Sequence, residues 1–240
     1  MTLTFEPNQS KAIQIASNAL VLTSGTMHEP DLIDDAKQKL RGKEHVREIA
    51  EVLKQQYQEV RKTRIEDEVL RPIAGIESFA EYHQKQPGLH EGLVFDLNAR
   101  IENFEIGLTL LLAGVDEKGH VIVIGDPGIS MSWDTVGHAF SGMGNRHADS
   151  VFAWYRYTQR FSLNEALYVS FEAKKRAEAA GGVGRATDIY VIDGKGICKV
   201  DDSSVKELDE IYGERQNPEK RGFDKRITDL ELKKEPLAST

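Results

Sequence analysis

Few side chains in this chain combine a reactive type with a spacing that chemistry could use. Thr2 is one: removal of Met1 ahead of a small residue would expose a hydroxyl and a free α-amine on a single residue. An α-amine with an ordinary pKa near 8 can relay a proton while such a hydroxyl attacks a carbonyl. A second group, His138, Asn145, Arg146, His147 and Asp149, gathers around a glycine turn and could be drawn as an acid–base or metal cluster. His147 and Asp149 stand two apart where a helix should begin, however, so they do not share a face, and no metal site is expected. Gly142-x-Gly144 and Gly181-Gly182-x-Gly184 could cradle phosphate through backbone N–H groups. They lack the strand, lysine and helix context that makes such glycines specific, so they are expected to be turns, and no cofactor is expected. Trp133, Trp154, Tyr155 and Tyr157 have no basic residues between them and are expected in a core or a subunit interface.

The elements that must position these residues are legible in the hydrophobic period. Lys11–Ser17 and Ala19–Ser24 alternate as two short strands turned at Asn18. Leu32–Leu70 is a long charged helical segment, with a break possible near Arg41-Gly42. In it Val46, Ile49, Leu53, Tyr57 and Val60 form one apolar stripe. That stripe must pack on something, and the chain's own sheet is favoured over a partner subunit. Pro72, Gly75, Pro87, Gly88 and Gly92 make Arg71–Gly92 a loop-rich connection. Phe104–Gly114 and His120–Asp126 are β-rich and turn through Asp116-Glu117-Lys118-Gly119 as a hairpin. Ala148, Val151, Phe152 and Tyr155 recur at helical spacing, as do Leu163, Ala166, Leu167, Ser170, Ala173 and Ala177. The second of these helices opens with Ser162-Leu163-Asn164-Glu165, a capping-box pattern. Thr187–Asp193 and Ile197–Val200 form a further strand pair through Gly194-Lys195-Gly196, and Ser203–Tyr212 can form a short helix. Residues 213–240 are polar and charged, a tail with few apolar anchors.

Composition narrows the class. The 240 residues carry 40% hydrophobic and 29% charged side chains, enough for one large domain with a substantial core. The net charge of −8, with Lys and Arg scattered among acids, disfavours nucleic acid. Cys198 is the single cysteine, so no intrachain disulfide framework exists, and with no signal segment or membrane span in the sequence a cytoplasmic address is expected.

Four blocks in order resemble the proteasome β-type family of N-terminal-nucleophile (Ntn) hydrolases. "KAIQIASNALVLTSGTMHEPDLIDDAKQKL" looks like the family's strand pair leading into its first helix. "LLLAGVDEKGHVIVIGDPG" looks like its "aGvD…g…y.vdp.G" strands, and "FSGMGNRHADSVF" like its "GSG…A…L" helix entry. "VGRATDIYVIDGKG" is similar to its last strand, particularly in the two-ring ATP-dependent threonine protease of bacteria. Together the blocks cover roughly two thirds of the chain.

The resemblance implies an α+β fold over residues 1–212, the Ntn-hydrolase four-layer αββα sandwich with two antiparallel sheets. It implies amide-bond hydrolysis by a threonine-type peptidase, a homo-oligomeric ring, and a possible ATPase or unfolded-protein partner. In the family the nucleophile, a lysine and an aspartate lie on a first strand pair upstream of the "K…I" block. Such a hairpin needs about fifteen residues, and ten precede Lys11. The first strand pair is therefore expected to be missing and the chain as given to be truncated or catalytically silent, with Thr2 a chain start and no catalytic residue identified. The family's "GSG" falls on Gly142-Met143-Gly144, and its late "D..SGG" on Ala180-Gly181-Gly182-Val183-Gly184-Arg185, so serine and aspartate are both replaced. The alternatives are a non-catalytic, ring-forming pseudo-subunit and a small-amide hydrolase on the same fold.

Overall fold

The computed structural model describes residues 11–25, 30–40 and 45–216. The chain divides into two units, Met1–Lys199 and Val200–Thr240. The first is built on a five-stranded antiparallel sheet of order β1-β2-β3-β4-β5: β1 is Ala12–Ala16, β2 Ala19–Gly25, β3 Leu108–Val115, β4 Gly119–Gly125 and β5 Ile129–Ser132. The expected strand pair thus turns at Ser17-Asn18, and the expected hairpin turns at Asp116–Lys118. Register follows the period of two. Val21 faces Leu112 and Leu110 faces Ile124, so Val21, Leu110, Leu112, Ile122 and Ile124 all point to one buried face.

Helices α1 (Pro30–Lys39) and α2 (Val46–Ile65) cover that face. Val46, Ile49, Leu53 and Tyr57 of the α2 stripe are fully buried against the chain's own strands. The stripe is therefore spent within the chain's own core, not on a partner. Gly114 lets α2 come close, since a Cβ there would lie 2.8 Å from Val46 Cγ2. The Tyr57 hydroxyl donates to the Leu108 carbonyl at 2.8 Å, tying the middle of α2 to the start of β3. The break expected near Arg41-Gly42 lies outside the described residues.

Two expectations are corrected. Arg71–Gly92 is helical, not loop-rich: after a π turn at Glu66–Leu70 come α3 (Arg71–Ala74), α4 (Phe79–Lys85), a 3-10 turn at Gln86–Gly88 and α5 (Glu91–Glu102). The prolines and glycines sit at helix boundaries. Pro72 lies in the first turn of α3, Gly75 ends it in the left-handed region at φ 62°, and Pro87 lies in the first turn of the 3-10 segment. Ser78 caps α4 by accepting from the Glu81 N–H. Secondly, β3 begins at Leu108, not Phe104. Asp126 takes the N–H groups of Ile106 and Gly107, each at 2.8 Å, and Gly107 at φ 73° bends the chain, so 104–107 does not pair.

Beyond β5 come α6 (Asn145–Tyr155), α7 (Leu163–Ala177) and a two-stranded ribbon, β6 (Tyr190–Asp193) with β7 (Gly196–Lys199). The capping box at Ser162 and Glu165 is formed. Ala148, Val151 and Phe152 of α6 pack on Val169 and Ala173 of α7. Between them Glu172 is buried and paired, accepting from Tyr155 Oη at 2.8 Å and Arg176 Nη2 at 3.2 Å. The second unit contains α8 (Asp202–Arg215), capped by Asp201 through the N–H groups of Ser203 and Ser204. Among the described residues no helix is long and apolar enough to cross a membrane.

Candidate functional site

The outer face of the sheet, opposite α2, carries the candidate site. Leu20, Leu22 and Ala113 form the floor of a cleft whose walls are Ser170, Phe171 and Lys174 of α7 and the segment 187–192. It is open to solvent on one side and its lining is mostly apolar. Alternation along β2 places Ser24 on the same face as Leu20 and Leu22, at the strand's end. There the Ser24 hydroxyl is hydrogen-bonded to that of Ser141.

Three backbone turns meet at this end. Gly142 follows Ser141 at φ 96°, and a Cβ there would lie 3.8 Å from Ser24 Cβ. A Cβ on Gly144 would come 2.5 Å from Ala177 Cβ, which fixes the entry of α6 against the end of α7. Gly182, at φ 86°, would meet Met143 Sδ at 3.2 Å. Lys174 steadies the last turn, donating to the Gly184 carbonyl at 2.8 Å while paired with Glu178. The glycine motifs are turns whose missing side chains allow three segments to touch.

The chemistry available here is limited. Among the described residues neither Ser24 nor Ser141 is hydrogen-bonded to a histidine, lysine or carboxylate, so no base activates either hydroxyl. Met143 is 74% exposed. Thr2 lies outside the described residues. His138 packs its ring on Phe140, Phe152 and Tyr157, with centroids 4.7–5.6 Å away, whereas His147 and Asp149 are exposed on α6. Trp154 is 84% exposed, so it is no core residue.

Among the described residues a further titratable cluster forms on the opposite face of the sheet, one that residue spacing alone does not show. His120, 5% exposed on the inner face, sets Nδ1 2.8 Å from Asp134 Oδ2 and Nε2 3.0 Å from Asp116 Oδ1. Burial pushes the Asp116 carboxyl up, but the N–H groups of Val46 and Lys118 and the His120 ring outweigh it and hold the group down to about 2. Asp134 is likewise lowered: burial opposes, and the Val121 N–H and His120 prevail. Both ring nitrogens are occupied and Asp116 stands at the far end of β3 from Leu108, the partner of Gly25, so this cluster is separate from the Ser24 cleft. Among the described residues no group of three or more His, Cys, Asp or Glu is arranged to hold a metal ion. The sequence signal was Asp116-x-x-x-His120 across the hairpin turn, but Asp134 joins them only through the pairing of β4 with β5.

Neither a known family model nor a curated protein matches this chain in sequence.

Proposed function

We propose that this chain is a proteasome-β-like subunit with the Ntn-hydrolase sandwich, a homologue of threonine-type peptidases, in which helices α1 and α2 form one outer layer and α6 and α7 the other. The observation that carries the reading is the meeting of Ser24, Ser141–Gly144 and Ala177–Gly184 at one end of an apolar cleft. Two of these segments fall where the family's helix-entry and late accessory residues fall, and the third ends its second strand of the "K…I" block. Element order supports the same reading: strand pair, helices, three strands, helix pair, strand pair. The β6–β7 ribbon then belongs to the second sheet, on the outer face of the first. In such a site the hydroxyl of an N-terminal residue attacks the amide carbonyl, its α-amine moves the proton, and backbone N–H groups of the turns hold the developing oxyanion. The described residues supply the turns and the cleft but no nucleophile with a base. On this reading the described part of the chain serves as a frame within a homo-oligomeric ring. Exposed Trp154, Leu163 and Met143 supply apolar surface that such an assembly would cover.

Peptide-epoxyketone labelling read by intact mass, beside light scattering, tests this. An oligomer without an adduct is the expected result. An adduct on Thr2 would make the chain a peptidase in its own right, and a well-folded monomer at every concentration would remove the ring.

A further inference from the structure

The five-stranded sheet has two edges, and they are finished differently. A sheet edge presents unpaired N–H and C=O groups, a template for another strand, and chains blunt it with charge, proline, a bulge or shortness. At β1 the register slips between Gln14 and Ala16, Lys11 stands exposed before the strand, and the Gln14 amide donates to the Ala16 carbonyl at 3.1 Å. At β5 only shortness is used. Its four residues pair with β4 without a slip, and no charged residue lies between Pro127 and Trp133.

Alternation decides which backbone groups of β5 are free. Opposite residues of an antiparallel pair alternately exchange backbone hydrogen bonds and turn those groups away from each other. The Trp133 N–H donates to the Val121 carbonyl at 2.8 Å. Counting back from that pair, the backbone groups of Met131 and Ile129 face β4, whereas the N–H and C=O of Ser130 and Ser132 point out from the sheet. Among the described residues no backbone group meets them on that side. The side chains of Ile129 and Met131, 57% and 54% exposed, stand on the outer face of the sheet. There Met131 continues the row Leu22, Leu111, Val123 across the strands.

We propose that β5 is the strand through which a second copy of this chain joins, across a twofold axis at Met131, so that the two sheets continue into one. An axis there sets Ser130 opposite the second copy's Ser132, and each outward N–H meets an outward carbonyl. On the inner face serine stands against serine, a pair whose hydroxyls bond across strands. On the outer face Met131 meets its own copy and Ile129 meets Trp133, which covers the exposed apolar side chains. The occupant is another copy and not a foreign strand because the edge complements itself: donors fall on acceptors and like side chains on like under the twofold. Charge agrees with this. Two copies of a chain with a net charge of −8 repel each other, and the uncharged stretch from Pro127 to Trp133 is a place where contact adds no like-charge pair. A twofold contact closes on itself, so it depends neither on a ring nor on the peptidase reading.

The experiment uses the full chain in sedimentation velocity over a concentration series. The expected result is self-association whose dissociation constant rises more than about tenfold in Met131→Lys, because like charges then face each other across the axis. Ser130→Pro removes a donor that the chain's own sheet does not use. It weakens association likewise and serves as the second variant should Met131→Lys not fold, while Phe95→Lys on the exposed side of α5 leaves association unchanged. The position of the axis is read in a Cys198→Ser chain. Opposite residues of a non-hydrogen-bonded pair have Cα atoms about 4.5 Å apart, within disulfide reach. Met131→Cys should therefore crosslink to its copy when copper phenanthroline takes up the two electrons, and Ile129→Cys should not. A wild-type chain that is monomeric at every concentration overturns the proposal. So does an assembly that Met131→Lys and Ser130→Pro leave unchanged, a result that would leave a ring built on other surfaces standing. Crosslinking of Ile129→Cys as fast as that of Met131→Cys overturns it as well.

Discussion

The two ends of the five-stranded sheet are closed by different chemistry. At one end Asp116, His120 and Asp134 fill the inner corner with hydrogen-bonded side chains, and their polar atoms are spent on one another or on backbone N–H groups. At the other, Ser24 and Gly25 meet Gly107, Ser141 and Gly142, where closure depends on missing side chains and one pair of hydroxyls. A corner with every group committed and no open surface can fasten but cannot receive a ligand. An end made of glycine turns beside an apolar cleft leaves backbone where another molecule could approach. The difference separates a structural cluster from a candidate site even though the structural cluster has the more reactive side chains.

The sharpest way to break this contrast is His120→Ala. It leaves two largely buried carboxylates without their shared hydrogen-bond partner across an unfilled space, at a cost of about 1–3 kcal/mol for each acceptor left unsatisfied. Urea denaturation should show that loss, with the ordered ends of α2 and β5 loosening first in hydrogen exchange. A cost under about 1 kcal/mol would mean that the corner is solvated and fastens nothing. At the opposite end, Gly25→Ala drives a methyl group into the Gly107 carbonyl, backbone against backbone, at φ 134°. Its expected cost is about 3 kcal/mol, the upper range for overpacking, measured by the same denaturation midpoint.

Acid discriminates between the ends without mutation. Asp116 is held down to about 2 in the folded chain, from 3.8. A depressed carboxylate contributes stability that is fully present above its unfolded value and is lost as pH falls through the folded one. The window is therefore about pH 4 to 2 and the contribution about 2 kcal/mol. Asp116→Asn should flatten that part of the stability profile, while substitutions at Ser24 or Ser141 should leave its slope unchanged.

Legibility in the sequence followed the range of the interaction. Strands β1 to β4, helices α6 and α7 and the capping box at Ser162 are local patterns, and each was readable from period and cap. Helices α4 and α5 were hidden because Pro72, Gly75 and Pro87 look like loop residues until their positions in first turns and caps are known. Strand β5 is four residues long, and its Ile129 and Met131 alternate but are exposed, so they carry no burial signal. The site was legible only as separate glycine motifs. The contact of Ser24 with Ser141 spans 117 residues and that of His120 with Asp134 depends on sheet register, and neither property is written in spacing.

The smallest effect concerns the two hydroxyls that mark the cleft end. If Ser24 and Ser141 serve only to satisfy one another, Ser24→Ala and Ser141→Ala should each cost about 1 kcal/mol, the net worth of one hydrogen bond. The double substitution should then cost no more than either alone, because the second removal leaves no orphaned partner. Additive losses would show that each hydroxyl has a separate partner, which a ring neighbour or an upstream segment could supply. A fluorophosphonate probe completes the test. With no base bonded to either oxygen among the described residues, no adduct is expected on Ser24 or Ser141, and mass-spectrometric detection of one would turn this end of the sheet from a frame into a reacting site.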